Sequence, residues 1–436
     1  MTVSGPAFSP APATSRSALF VLFGVVFINL VGFGIVVPLL PFYGQTLDAP
    51  PWQVALMFSA YSLGQFFAEP FWGRLSDRIG RKPVLLITVS ANALGYLMLA
   101  FAPNIWLAIG IRLFTGLGAG NVSTIQGYVA DVTPPEKRAG RMGLIGAAFG
   151  LGFIVGPGLG GLLTRTDMGA MGYQMPIFVA AGLCVLAALG VTVFLKESRA
   201  RADPATPRPP FLSGVKDAVA NPVVSRVLLV TLIYMAGFSG MESTFGFWTE
   251  ARYGWGAREV GFSFMAVGIV STICQALIAG RLARRFGEAR VLAVGSLIFG
   301  SGLALQVLVG RLMPAQAEWV ISVAGRALVL HGDMLVPLVM AFGAFGMAVT
   351  MPNISALISR SVDPDRQGAM LGLNMAASSS GRIFGPMAAG ALFSGVGHDW
   401  PFLIGAALTV PAAIMAINAG RAFRKRQGGR VPVPAE

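Results

Sequence analysis

The sequence predicts an all-α membrane protein of twelve transmembrane helices, arranged as two pseudo-symmetric bundles of six. Three observations carry that expectation. Of 436 residues, 55% are hydrophobic and 12% charged, with a mean hydropathy of +0.70; an ordinary soluble domain is about 25% charged. Twelve apolar stretches of about 20 residues, bounded by charge, proline or glycine, are long enough to cross a bilayer core. The charged island Gly73 to Pro83, GRLSDRIGRKP, recurs as Gly280 to Gly287, GRLARRFG, 207 positions later.

The first stretch, 18–41, is too long for a typical signal-peptide core and more spans follow it, so it is read as span 1. Its Gly32, Gly34, Pro38 and Pro41 weaken helical regularity, a pattern common where a helix lines a path. Span 2 (53–72) ends at the charged island, and spans 3 (84–102) and 4 (104–130) are joined by Ala102-Pro-Asn with almost no loop. Span 5 (142–163) repeats glycine at 152, 156 and 160, one face of a helix that can approach another backbone closely. Pro157 in the same span removes a donor and crowds the carbonyl of Phe153. Span 6 (174–195) follows. Residues 196–222 are polar and proline-rich, cannot cross a membrane, and are read as a cytoplasmic linker. The linker divides the chain into bundles 1–195 and 223–436, parallel repeats related by an axis along the membrane normal.

Spans 7 (223–247), 8 (258–280) and 9 (291–310) open the second bundle. Pro135-Glu-Lys before Gly143-Leu144 matches Pro364-Asp-Arg before Gly372-Leu373 at an offset of 229, so the second half holds about 22 extra residues. They fall in the outward segment 311–333, whose apolar alternation and Trp319 suit a short hairpin or an interfacial segment. A tolerated surface excursion is expected there, with a functional lid as the alternative. Spans 10 (334–358), 11 (368–394) and 12 (399–420) complete the set.

The formal charge of +13 is a topology signal. With the N-terminus inside, inward segments carry 25 of the 32 Lys and Arg and outward loops five, which places both termini in the cytoplasm. Nucleic acid is not needed to explain that charge. Cys184 and Cys274 sit in apolar surroundings as small hydrophobes, and His331 and His398 fall in outward loops. No His, Cys or carboxylate cluster is left inside the membrane to hold a metal or run hydrolysis, so neither enzyme, cofactor nor metal is expected. No Gly-rich loop ending in GK[ST] points to ATP.

Charge inside the bilayer is the best internal pointer to mechanism, because an Arg or Asp at its centre costs about 2.5–3.5 kcal/mol on insertion scales. Arg112 lies in span 4 and is expected near Asn29 on a cavity wall; the alternative is snorkelling to the outer surface. Glu69 ends span 2 either as a proton-coupling acid or as an interfacial one. Glu242 in span 7 and Arg382 in span 11 each lie 16 positions beyond an inward Arg, about 24 Å deep. Equal depth makes a proton-sensitive pair feasible. The rival arrangement has Glu242 reaching outer water alone and Arg382 against backbone carbonyls. Tyr234 and Phe238 are further candidates to line a cavity for a flat amphiphile.

Three motifs in order give the chain its resemblance. They are Gly73-x-Leu75-x-Asp77-Arg78-x-Gly80-Arg81-Lys82 after span 2, Arg112-x-x-x-Gly116-x-Gly118-x-Gly120 in span 4, and Gly152-x-x-x-Gly156-Pro157-x-x-Gly160-Gly161 in span 5. Over nearly its whole length the chain resembles the major facilitator superfamily, specifically its twelve-span drug/proton antiporters near the tetracycline-efflux branch. The resemblance implies alternating access by rocking halves. It also implies a latch in which Asp77 engages span 11 and joins Arg81 and Asp131, and a span 5 seam between the halves. Arg284 stands where Asp77 would recur, so the latch is one-sided. Asn29 stands where tetracycline-efflux relatives place an Asp, and span 3 lacks their acid; Mg–tetracycline recognition is therefore not implied.

The function expected is proton-coupled export of a lipophilic or amphiphilic small molecule by a monomer in a cell membrane, as in the bacterial inner membrane. A carrier of a physiological metabolite, sugar or lipid, and a transport-dead sensor or scaffold, are the alternatives.

Overall fold

The computed structural model describes residues 16–198, 211–313, 318–323 and 326–428. Apolar runs without water around them must close every backbone hydrogen bond internally, and the chain does so as helices. In order they are α1 Arg16–Val36, α2 Leu40–Gln45, α3 Pro51–Ile79, α4 Arg81–Ala100, α5 Ile105–Ala119, α6 Val122–Asp131, α7 Pro135–Leu163, α8 Ala170–Phe194, α9 Phe211–Ala220, α10 Pro222–Tyr253, α11 Ala257–Cys274, α12 Gly280–Phe286, α13 Glu288–Leu312, α14 Leu335–Arg360, α15 Pro364–Gly395 and α16 Trp400–Gly428.

Three spans are interrupted, each for a local reason. Pro38 and Pro41 tighten Val37–Leu39 into a 3-10 turn between α1 and α2. Span 4 breaks between α5 and α6 at Gly120, whose missing side chain lets the backbone of Ala68 approach. Gln275–Ala279 form a π-helical turn between α11 and α12. With α1–α2, α5–α6 and α11–α12 each counted once and the short α9 set aside, the described residues form twelve spans.

Ten of these runs are long and apolar enough to cross a membrane by length and composition. The other two, α3 and α15, have the length, at 29 and 32 residues. They are less apolar because they carry Gln53, Gln65 and Glu69, and Asn374 and Arg382, and because they pack on each other in the interior.

Helix neighbours follow the repeat. α1 packs on α7 and α8, α3 on α5, and α4 on α8; in the second half α10 packs on α15 and α16, and α13 on α14 and α16. Between these groups α7 meets α11 and α3 meets α15. The linker region contains α9, which packs on α10 and α15; its prolines 204, 207, 209 and 210 lie outside the described residues. In the insertion, β1 Glu318–Val323 and β2 Arg326–His331 pair antiparallel, Val320 opposite Val329. Its alternation therefore marks a hairpin.

Candidate functional site

One end of the bundle carries the basic loops and the other, the far end, carries the hairpin. Contacts between the two groups of helices run from the far end to mid-depth. At the far end Gln45 donates from Nε2 to Glu250, Gly246 lies against Pro41 and Phe42, and Gly390 against Trp52 and Ala55. Deeper, Ser59 Oγ donates to the carbonyl of Ile383 at 2.7 Å, and Gly150 abuts Thr272. From mid-depth toward the basic end lies a cavity of about 110 Å³. Asn29, Tyr61, Gln65, Asn92, Tyr96, Asn121 and Arg382 supply its polar lining, and Phe33 and Phe149 its aromatic apolar part.

Two of the embedded charges meet across neighbouring spans. Arg382 Nη2 in α15 lies 3.7 Å from Glu242 Oε2 in α10. Glu242 is 3% exposed, and its Oε1 has no hydrogen-bond partner. Equal helical depth thus places the two side chains together across neighbouring helices.

Arg112 is 1% exposed, so it does not snorkel to the surface. Its guanidinium lies 4.4 Å from the centroid of the Tyr61 ring, and Nε and Nη1 have no hydrogen-bond partner. Tyr61 lines the cavity, so this contact ties Arg112 to the cavity wall, and Phe33 packs on the same ring at 5.2 Å between centroids. Asn29 does line the cavity, its Nδ2 buried without a partner. Glu69 is half-buried and accepts from Gln65 Nε2 at 3.4 Å.

Tyr234 and Phe238 lie apart from this cavity. Tyr234 is buried against Phe299, 4.7 Å between ring centroids. Phe238 lines a separate apolar space among α10, α11, α13 and α14. One helical turn apart, both point into their own half, so neither lines the cavity with Asn29 and Arg382. Asn92, Tyr96 and Asn121 are cavity residues that sequence reasoning missed; an Asn in the middle of each of two apolar spans was the available signal.

The span 5 glycines also sit differently from the expected seam. A side chain at Gly156 would reach the Cα of Gly34 at 2.8 Å, and at Gly160 the carbonyl of Ile35 at 2.6 Å. Gly152, Gly156 and Gly160 therefore pack on α1 in their own half. It is the adjoining face that meets α11: Gly161 against the Arg258 backbone, and the Pro157 carbonyl against Gly261.

At the basic end, Gly73 lies against Ser123 and Arg78 is exposed. Gly80 takes a φ of 105°, open to glycine, and turns the chain from α3 into α4. This turn buries Arg81, which pairs with Asp77 at 2.8 Å and Asp131 at 3.1 Å and donates to Ser76 Oγ at 2.6 Å. The three candidate latch charges thus meet within one half. At the far end Asp399 accepts from Trp248 Nε1 at 2.9 Å, from Arg252 Nη2 at 2.8 and 2.9 Å and from Arg311 Nε at 2.9 Å. Burial raises the Asp399 pKa, but these hydrogen bonds and the Arg252 charge outweigh it and hold the carboxyl below its usual value. Among the described residues no group of His, Cys, Asp and Glu is arranged to hold a metal.

Comparison with known proteins places this geometry in context. The family model "Major Facilitator Superfamily" matches residues 22–332 and 276–435. The chain is 30% identical over 404 residues to the class G tetracycline resistance protein of Vibrio anguillarum, covering 90% of this chain and 95% of that one. It is 26% identical over 394 residues to multidrug resistance protein 2 of Bacillus subtilis (strain 168), with coverage of 89% and 91%. A bacterial homolog of the human lysosomal transporter Spinster, solved inward-facing and unoccupied, shares the fold with a TM-score of 0.71 at 16% identity, covering 97% of this chain and 100% of that one.

Proposed function

The chain belongs to the Major Facilitator Superfamily, and we propose that it exports lipophilic or amphiphilic drugs in exchange for protons by alternating access. The observation that carries this reading is one cavity, lined by helices of the first half and by Arg382 of the second, with contacts between the halves from the far end to mid-depth and an embedded Glu–Arg pair beside it. The relatives named for tetracycline and multidrug resistance supply the cargo class.

In this reading the basic end faces the cytoplasm, as the distribution of Lys and Arg requires, so the conformation described is inward-facing. Halves 1–195 and 223–436, joined by 196–222, rock about the cavity. Cargo enters among Asn29, Gln65, Phe33 and Tyr61, and Arg112 acts through its contact with Tyr61. The Glu242–Arg382 pair is the coupling element. A proton reaching Glu242 discharges the pair, frees Arg382, and changes the relative stability of the two states. Glu69, on the same α3 face as Gln65, is a second acid on the proton path. Asp77, with Arg81 and Asp131, is the latch, engaging α15 when the basic ends close.

Everted membrane vesicles test this directly. An imposed gradient, acidic inside, should drive uptake of ethidium, norfloxacin or tetracycline, with matching alkalinisation of the lumen. Equilibration of a compound without proton movement would replace exchange by facilitated diffusion.

A further inference from the structure

The latch arginine depends on a residue outside every motif. α4 begins at Arg81, and the residue at its N-cap, Gly80, has no side chain with which to cap the free N–H groups of the first turn. Pro83 carries no N–H at all. The open donors at this end are therefore those of Arg81 and Lys82. Both are taken by one carboxylate: Arg81 N donates to Glu197 Oε1 at 2.8 Å and Lys82 N to Oε2 at 3.1 Å. A side chain at Gly80 would come within 2.5 Å of that carboxylate, so glycine is required there for space as well as for φ.

Glu197 comes from the other end of the half, three residues past α8, at the start of the linker. Its neighbours are fastened to the same place. Tyr128 OH donates to the carbonyl of Lys196 at 2.8 Å, Ser198 Oγ to Asp131 Oδ2 at 3.3 Å, and Lys82 Nζ to the carbonyl of Thr192 at 2.8 Å. A carboxylate at a helix N-terminus also meets the positive end of the helix dipole. In the second half α13 carries its own acid, Glu288, at its first position, paired with Arg360. Among the described residues, only the first half takes its cap from the linker.

We propose that Glu197 is a positioning residue for the latch, capping α4 so that the Arg81 side chain is held between Asp77 and Asp131, and thereby fastening the root of the interdomain linker to that switch. The inference rests on the latch reading above and adds a residue to it. Since Glu197 lies at the basic end, away from the cavity, its loss should alter the rate of the conformational step and leave cargo binding unchanged.

The test compares Glu197→Ala, Glu197→Gln, Arg81→Ala and the Glu197→Ala/Arg81→Ala double variant as purified protein in proteoliposomes, with norfloxacin as cargo. Glu197→Ala should lower kcat about five- to tenfold at unchanged KM, and Glu197→Gln, which keeps one acceptor oxygen, should recover part of that. The double variant should be no slower than Arg81→Ala alone, because residues acting as one unit are non-additive. A thermal melt reads folding separately: if Glu197→Ala does not fold, Glu197→Gln carries the comparison. Wild-type kcat in a folded Glu197 variant, or a full multiplicative loss in the double variant, would overturn the proposal. Impaired Arg81→Ala with normal Glu197→Ala removes only Glu197, whereas normal Arg81→Ala removes the latch itself.

Discussion

Arg382 Nη2 stands 3.7 Å from Glu242 Oε2, with the glutamate side chain 2% exposed and the arginine 27% exposed. The distance is slightly beyond a direct hydrogen bond, so the pair is held by charge and is open to rearrangement. Removing one partner of a buried pair typically costs about 3–5 kcal/mol, because the other charge is left unmatched. Glu242→Arg and Arg382→Glu should each lower the melting temperature, and the double exchange should restore part of the loss. Equal melting of singles and double would show that the two residues do not interact.

Asp77→Asn should insert and fold but transport several-fold more slowly, because it removes a charge 2.8 Å from Arg81 without touching the cavity. Transport rates at equal expression check this. Wild-type rates would leave the Asp77–Arg81–Asp131 cluster with a purely structural role.

Gly156 and Gly161 should separate by phenotype, although they share a motif. Gly156→Val drives a side chain into the Gly34 backbone within one half and should reduce folded yield severely. Gly161→Val meets the Arg258 backbone across the halves, so the protein should fold while its far end fails to close. Reactivity of a cysteine placed at Gln45 distinguishes the outcomes: it should rise in Gly161→Val.

Much of this architecture was legible in the sequence because its signals are local. Pro38 and Pro41 break the first span, alternation over 318–331 makes the hairpin, and equal spacing from an inward Arg brings Glu242 to Arg382. The facing of helices was less legible. A span apolar all round offers no stripe to orient, so Tyr234 and Phe238 could not be assigned to a neighbour, and glycines every fourth residue mark a close approach without naming the partner. Glu197 was invisible for another reason: its role depends on two backbone N–H groups 115 and 116 positions away.

Asp399 gives a pH dependence with a definite sign. Its carboxyl is held below its usual value in the folded protein. Its stabilising contribution is therefore complete above the unfolded value of about 3.9 and fades as pH falls through the lower folded value. Asp399→Asn should destabilise by about 1.5–3 kcal/mol near neutral pH, as loss of charged hydrogen bonds does, and the difference from wild type should shrink in melts below about pH 4. A difference that persists unchanged at low pH would assign the effect to packing.

Replacing residues 314–332 by a short Gly/Ser linker should leave transport nearly intact, provided Asp333 is kept for its bond from Trp255 Nε1 at 3.3 Å. Loss of transport in a protein that still melts cooperatively would instead give the hairpin a role as a lid or partner surface.

Proton coupling through Glu242 is tested most directly by Glu242→Gln in proteoliposomes, measuring norfloxacin flux and lumenal pH together across imposed gradients. The expected result is norfloxacin binding close to wild type, abolished gradient-driven flux, and no pH dependence of the residual exchange. Gradient-driven flux with wild-type pH dependence in Glu242→Gln would remove the Glu242–Arg382 pair from the coupling mechanism.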